Sequence, residues 1–450
     1  MFKMKHAIVP VSLALVLLAS VCFGANTYHV SPTGSDSNPG TLASPWKTLA
    51  KAVSSVSSGD TVYLRAGTWK ERLDIRSKNF TSYVTFAGYP GDPMPVLDGT
   101  GIIPQQYEDG VVWIQSSSYV RIQGLYITKA PKTGIGVIKS HHIEILNNTT
   151  WDTVRAGITC WTSHDVIFRG NDIGLSNNIG PDEVISVAAG SYNVEVSYNT
   201  LHHGSSIPDG YAGGEGINIK DGCSYVYIHH NIVHLDNRPD GRPSNRYSLG
   251  VDAWSGQFGT THHIYFYNNI SYNNGIGIVV EAEATGGITD TVFIYNNIFY
   301  NNVQNAFYMP TWALNESNIK RNVYFYNNTL YGNPIGIQIS TSKVENLIIQ
   351  NNIISNSRTA ISIGGGVPIG QITQDHNLTV GDMKFANASA GDFHLLVGSP
   401  AIDAGIPVSA VTKDFDDVGR PKGTGYDIGA YEYVEGGGEP APPSNLRILP

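Results

Sequence analysis

The sequence predicts an all-β chain, a single-stranded right-handed parallel β-helix with a capping helix at its N-terminal end. Three observations predict it: a short motif recurring at coil length, second strands at a fixed distance before it, and a composition poor in charge. The motif is an apolar alternation, an asparagine and another apolar residue, as in HIEILNNTT, NVEVSYNTL, TVFIYNNIF and NVYFYNNTL. Its asparagines are Asn148, Asn171, Asn199, Asn231, Asn269, Asn297, Asn328, Asn352 and Asn377, separated by 23, 28, 32, 38, 28, 31, 24 and 25 residues. Such spacing fits one solenoid coil with loops of variable length. Asn tolerates left-handed backbone geometry, so a tight bend is its expected place, with stacked amides bonding from coil to coil.

The second strands are AGITCW, EVISVA, EGINIK, LGVDAW, IGIVVE and IGIQIS. Aligning them puts Ile158, Ile185, Ile217, Val251, Ile278 and Ile337 in one inward column. Thr159, Ser186, Asn218, Asp252 and Val279 then form one outward column, and Trp161, Ala188, Lys220, Trp254 and Glu281 the next. A slip of two residues keeps every side chain on its face but moves it one column over. Only 14% of residues are charged, which disfavours long amphipathic helices and favours strands and turns.

The ends are assigned in order. Residues 1–24 read as a signal peptide, with Lys3 and Lys5 before an apolar run from Ala7 to Val21 and small residues at Gly24 and Ala25. Val21 stands where a small residue would precede a lipidated Cys22, against a lipoprotein. The solenoid is expected over 26–433. Ser44 as N-cap and Pro45 in the first turn open the capping helix over TLAKAV. SPAIDAG and YDIGAYEY are expected to be closing strands and turns, and 434–450 a Gly/Pro-rich linker that could begin a further module. No other stretch has the roughly twenty apolar residues of a transmembrane segment. The expected location is therefore secreted or at the cell surface.

Loss of Lys3 and Lys5 takes the formal charge from −9 to −11, which excludes a nucleic-acid partner. Cys160 and Cys223 fall two coils apart, about 9.6 Å at sheet spacing, too far for a disulfide. Repeats that pack on their own neighbours predict a monomer.

The stretches YHVSPTGSDSNPGT, SPWKTLAKAV and GDTVYLRAGTWKE, with the later SPAIDAG and DIGAYEY, resemble the pectin-lyase-like superfamily of right-handed parallel β-helices. The resemblance runs over roughly residues 27 to 433 and implies a polysaccharide as partner. It does not select a reaction, since the superfamily holds lyases, hydrolases, epimerases and non-catalytic surface proteins.

The separations of 32 and 38 flag long loops at 202–214 and 234–248, flanking the strands of Asn218, Lys220 and Asp252. Raised loops on a rigid scaffold are where function concentrates. These two hold Tyr211, Arg238, Asp240, Arg242, Arg246 and Tyr247. Asp252 and Glu281 are the expected catalytic pair, on adjacent coils with Cα atoms roughly 5–8 Å apart, able to divide acid and base or nucleophile roles. GVDAW and VVEAE also resemble the Asp and Glu strands of β-helical glycosidases. Trp161 and Trp254 are expected to stack on sugar rings, with Asn218, Tyr211, Arg242, Arg246, Tyr247 and Glu215 as further substrate contacts. Asp221 and Glu283 are candidate calcium ligands.

Lys220 is the candidate base of an alternative, calcium-assisted lyase or uronate epimerase. In alginate and chondroitin lyases a similar Glu-x-Glu is followed by a lysine and an arginine, whereas Thr285, Gly286, Gly287 and Ile288 follow here. The leading reading is thus a secreted glycoside hydrolase that degrades polysaccharide. A third, a non-catalytic adhesive β-helix, requires Asp252 and Glu281 to be exposed and unperturbed. Glu183 and Glu215 share a core-side column, to be paired by Arg155 or a loop arginine, or else line the cleft at a strand mouth. His202, His203, His229 and His230 read as structural rather than metal ligands.

Overall fold

The computed structural model describes residues 25–105, 109–177, 182–203, 215–235, 246–283, 285–311 and 318–435. Tyr211, Arg238, Asp240 and Arg242, residues 1–24 and residues 436–450 lie outside them.

Parallel strands stack into three long sheets, one of thirteen strands and two of eleven, each strand pairing with its equivalents one coil before and after. Alternate residues point inward and build a continuous apolar core. On the thirteen-stranded sheet one inward column runs Val166, Val194, Val226, Ile264, Val292, Val323 and Leu347. This is the expected right-handed solenoid.

The asparagine ladder is continuous from Asn148 to Asn377. Each Nδ2 donates to the next Oδ1, for example Asn199 to Asn231 at 3.0 Å and Asn269 to Asn297 at 2.9 Å. Each Oδ1 also accepts the preceding ladder residue's backbone N–H. The bend itself falls one residue earlier than expected. Positive φ belongs to Gly170, Tyr198, His230, Asn268, Asn296, Asn327, Asn351 and His376, not to the ladder asparagines. The ladder residue needs its side chain turned inward, and its predecessor makes the turn.

The helix spans Leu49–Ser55, and its N-cap is Thr48, whose Oγ1 accepts from the Lys51 N–H at 3.1 Å. Ser44 and Pro45 do not cap it. Asp36 accepts from the N–H groups of Lys47 and Thr48 and delays the helix, while Trp46 bridges Val30. Leu49, Ala52 and Val53 enter the core and close the first coil.

SPAIDAG and YDIGAYEY form the expected turns, joined by a single antiparallel bridge from Gly405 to Tyr426, but not closing strands. They belong to a strap along the outside of the solenoid, where Asn268, Asn296, Asn327 and Asn351 donate to the carbonyls of Phe415, Lys413, Asp427 and Ile406. Buried Arg420 pins the strap to Glu432 at 2.7 Å and to Asn296 at 3.2 Å. Cys160 and Cys223 are free and buried, as expected. Among the described residues no helix is long and apolar enough to cross a membrane.

Candidate active site

The candidate residues sit on one eleven-stranded sheet, on strands Ile185–Ala188, Ile217–Lys220, Tyr247–Asp252 and Ile276–Val280. Their register differs from expectation by two residues at one strand. Leu249, not Val251, pairs with Ile217 and Ile278, so Gly250 rather than Asp252 stands beside Asn218. Asp252 pairs with Lys220, and Glu281 follows on the next coil, its N–H bonded to the Val251 carbonyl at 3.0 Å. Trp254 leaves that column for the turn after the strand.

The physical reason is Tyr247. Its ring fills the space over Gly250, where a Cβ would lie 2.4 Å from Cε2. Asn218 Nδ2 donates to the Tyr247 hydroxyl at 2.7 Å, and that hydroxyl donates to Glu281 Oε1 at 3.1 Å. A matched pair of threonines fixes the strand ends: Thr261 Oγ1 donates to the Asp252 carbonyl at 3.0 Å and Thr289 Oγ1 to that of Glu281 at 2.6 Å.

Asp252, Glu281 and Glu283 converge, with one carboxylate oxygen of each within 4.8 Å of the others. Asp252 is 2% and Glu281 3% exposed, whereas Glu283 is open to solvent. Burial, reinforced by Glu283, pushes Asp252 up to about 7, against the opposing pull of Lys220. Burial and the Asp252 charge hold Glu281 well above the usual carboxylate range. Glu281 Oε2 and Asn218 Oδ1 are buried without a hydrogen-bond partner among the described residues.

Lys220 forms an ion pair with Glu183. Burial opposes its charge, but Glu183 and Glu215 outweigh burial and raise its pKa. Glu183 and Glu215 therefore line the site rather than the core. Arg155 bonds Asp182 at 2.6 Å, next to Glu183 in the sequence. Burial and Glu183 push Glu215 up to about 7, with Lys220 and Arg246 opposing. Asp221 stands apart from the three-carboxylate group, its Oδ1 accepting from the Ser255 N–H at 2.5 Å.

Trp254 is 56% exposed, with Lys220 Nζ 5.7 Å from its ring. Trp161 is half-buried in the Lys220 column but two coils before it. His202 and His229 occupy different sheets, and no metal-type histidine group occurs among the described residues. Two residues were not anticipated. Lys320 is buried, its pKa lowered by burial while the Glu281 and Asp252 charges oppose. Phe258 is exposed in the turn after Trp254 and packs over Gly190 and Gly222. The sequence signal for Lys320 was its register with Thr261 and Thr289.

Three comparisons place the chain. Residues 28–173 match a family model described as the Pel9A-like right-handed β-helix region, and residues 105–261 match one described as the right-handed β-helix region. YwoF of Bacillus subtilis (strain 168), an uncharacterised protein, is 27% identical over 372 residues, 76% of this chain and 77% of that one. The pectate lyase Pel9A is similar in structure with a TM-score of 0.53 at 14% identity, covering 92% of this chain and 97% of it. XylC, solved in complex with xylose, gives 0.57 at 13% identity, covering 91% and 98%. An exopolygalacturonase from Thermotoga maritima gives 0.51 at 12% identity, covering 72% and 84%. At these identities the structural likeness is one of fold. With the stacked parallel sheets and the inward columns, these matches show the chain to have the fold of a right-handed parallel β-helix, similar to that of the pectate lyase Pel9A and the exopolygalacturonase.

Proposed function

We propose that the protein is a carbohydrate-active enzyme that hydrolyses glycosidic bonds in a polysaccharide outside the cytoplasm, with Glu281 as proton donor and Asp252 as its carboxylate partner. The observation carrying this is the pair itself: two buried carboxyls from consecutive coils, oxygens within 4.8 Å, both raised in pKa. Burial and the Asp252 charge favour the protonated form of Glu281, and Oε2, which no group among the described residues bonds, would be the atom that delivers the proton to a glycosidic oxygen. Asp252 is the member that ionises, since Lys220 and the Glu283 N–H, 3.0 Å from Oδ1, favour its charge. Its carboxylate then meets the positive charge developing at the anomeric carbon. Oxygens within 4.8 Å of each other suit the closer-set carboxyls of a retaining course better than the wider pair of an inverting one.

Elimination is less well supported, because Glu183 keeps Lys220 charged and unable to take a proton. A binding-only role requires exposed, unperturbed carboxyls, and these are neither. One observation favours a calcium-assisted variant: Asp252, Glu281 and Glu283 could supply three of the six to eight oxygens of a calcium site, with Glu281 Oε2 unbonded among the described residues. A calcium ion there would supply charge neutralisation for an acidic sugar.

The test is a polysaccharide panel read for new reducing ends and for the ultraviolet absorbance of unsaturated products. Reducing ends without absorbance, abolished by Glu281→Gln and by Asp252→Asn, are expected. Unsaturated products, or turnover that survives both substitutions, would overturn the assignment. Loss of turnover on chelation, restored by calcium, would move the reading to the calcium variant.

A further inference from the structure

Large apolar side chains on the surface separate by kind. Among the described residues, the exposed aromatic ones are Tyr192, Tyr198, Tyr225, Trp254 and Phe258. They fall on three consecutive coils. The exposed non-aromatic ones lie elsewhere, between Leu42 and Ile103 or between Val303 and Val434. Exposed apolar side chains gathered in one place mark a binding surface. Rings without aliphatic neighbours suit the apolar faces of sugar rings, while the tyrosine hydroxyls stay in water.

All but Tyr198 share one corner, between the sheet of the carboxyl cluster and the thirteen-stranded sheet. Tyr192 opens the strand Tyr192–Ser197, and Tyr225 lies one coil on in Ser224–His229. Trp254 and Phe258 occupy the turn before Thr261–Tyr267, one coil further. Two coils span about 9.6 Å at sheet spacing, the length of a short oligosaccharide. The array begins at the candidate site, since Trp254 follows Asp252 by two positions and has Lys220 Nζ 5.7 Å from its ring.

The corner is held in place before any ligand arrives. Tyr192 stacks on His164 at 4.7 Å between ring centroids, and His164 on His141 at 5.0 Å. Tyr225 stacks on His263 at 4.9 Å. The turn bearing Trp254 and Phe258 lies back over the two preceding coils because Gly190 and Gly222, both at φ 72°, stand beneath it. A Cβ on Gly222 would overlap the Phe258 carbonyl. The Ser255 N–H donates to Asp221 Oδ1 at 2.5 Å, and the Gly222 N–H to Thr261 Oγ1 at 3.0 Å. Rings fixed in this way lose little freedom on binding.

We infer that this corner is a glycan-binding platform, which holds a polysaccharide chain beside the carboxyl cluster by stacking sugars on Trp254, Phe258, Tyr225 and Tyr192. It rests on the protein acting on a glycan. The test is affinity electrophoresis of the full chain through arabinoxylan, galactan, mixed-linkage glucan, polygalacturonate and alginate. Retention by at least one polymer is expected, weakened on the order of tenfold in the double variant Tyr192→Ala, Phe258→Ala. Tyr198→Ala is the control: Tyr198 is 41% exposed against 46% for Tyr192, but about 20 Å away along the strand. It is expected to keep native retention. Should the double variant lose the circular dichroism of the solenoid, Tyr225→Ala takes its place. No retention by any polymer, undiminished retention in the platform variants, or an equal loss in Tyr198→Ala would overturn the inference. So would a native chain that sediments as a dimer and a platform variant that sediments as a monomer, since the corner would then be a protein interface. The two readings fail separately. A polymer retained through the platform but never cleaved keeps the platform and removes the hydrolase, whereas cleavage with retention indifferent to these rings does the reverse.

Discussion

Lys220→Met separates a structural cation from a catalytic base. Lys220 Nζ pairs with Glu183, the side chains being 19% and 4% exposed. Losing the ammonium strands a carboxylate in a buried place, which typically costs about 3–5 kcal/mol. Protonation of Glu183 caps that cost. Neutralising a carboxyl of ordinary pKa near 4.3 costs about 1.4 kcal/mol per pH unit above it, hence roughly 3.7 kcal/mol at pH 7 and about 1 kcal/mol at pH 5. In the variant the folded pKa of Glu183 exceeds the unfolded one, so the deficit is small at low pH and grows as pH rises through the folded value. Urea unfolding at pH 5 and pH 7 should therefore show a loss of about 1 rising to about 3–4 kcal/mol. Glu183→Gln in the same chain should recover most of it, since no charge remains to strand. A lysine acting as general base would be worth about 10²–10⁴ in turnover, yet the double variant should keep turnover within roughly tenfold. A pH-independent loss, or a double variant no better folded than the single one, would refute the ion-pair argument. Turnover falling a thousandfold in a well-folded double variant would restore Lys220 as the base.

Three further outcomes are expected. Asn269→Ala strands the buried Asn231 N–H and takes a donor from the buried Ile228 carbonyl, while the Asn231 amide keeps the Val196 and His229 carbonyls, and should cost about 2–4 kcal/mol with faster hydrogen exchange at Asn231. Asn377→Ala, at the half-buried end of the ladder where water can substitute, should cost about 1 kcal/mol, and equal losses would deny the burial argument. Gly250→Ala drives a Cβ into the Tyr247 ring; initial rates should fall with the circular dichroism of the solenoid unchanged, and unaltered rates would mean that Tyr247 does not position Glu281. Glu283→Gln removes the charge that, after burial, does most to raise Asp252. The acidic limb of the rate–pH profile, near 7 in the native chain, should move to lower pH, and an unmoved limb would assign it to another group.

The architecture was legible because a buried amide at every coil cannot be swapped for another side chain without stranding its neighbours. The bend was misplaced by one residue because bends accept Gly, Asn, Tyr or His alike and so leave no single-letter trace. The site was legible in its members but not in its register. LGVDAW offers two inward apolar residues two positions apart, Leu249 and Val251, and either can continue the column of Ile217. What decides between them is Tyr247 reaching across Gly250 to Asn218 and Glu281, a contact between coils that no periodicity contains. The slip set Asp252 beside Lys220 as well as Glu281. The ion pair of Lys220 with Glu183 was invisible for a related reason: Glu183 lies just outside a strand, where alternation no longer tells which way a side chain turns.

The asparagine doublets follow from the same two-position bend. At 268–269, 296–297, 327–328 and 351–352 the second residue joins the inner ladder, and the first, at φ between 49° and 56°, turns its amide outward to a strap carbonyl. Asn147 is also followed by a ladder residue, but its side chain lies against Gly170 of the next coil, where a Cβ would come 2.3 Å from Oδ1. A doublet is therefore not by itself a strap signal. It becomes one only where the next bend also carries a side chain and leaves the amide facing out. The strap grips the corner between the thirteen-stranded sheet and the sheet holding Ile270–Tyr272 and Ile298–Tyr300. Asp252 and Glu281 lie on the remaining sheet. The C-terminal segment can thus tie four coils together without entering the carboxyl cluster.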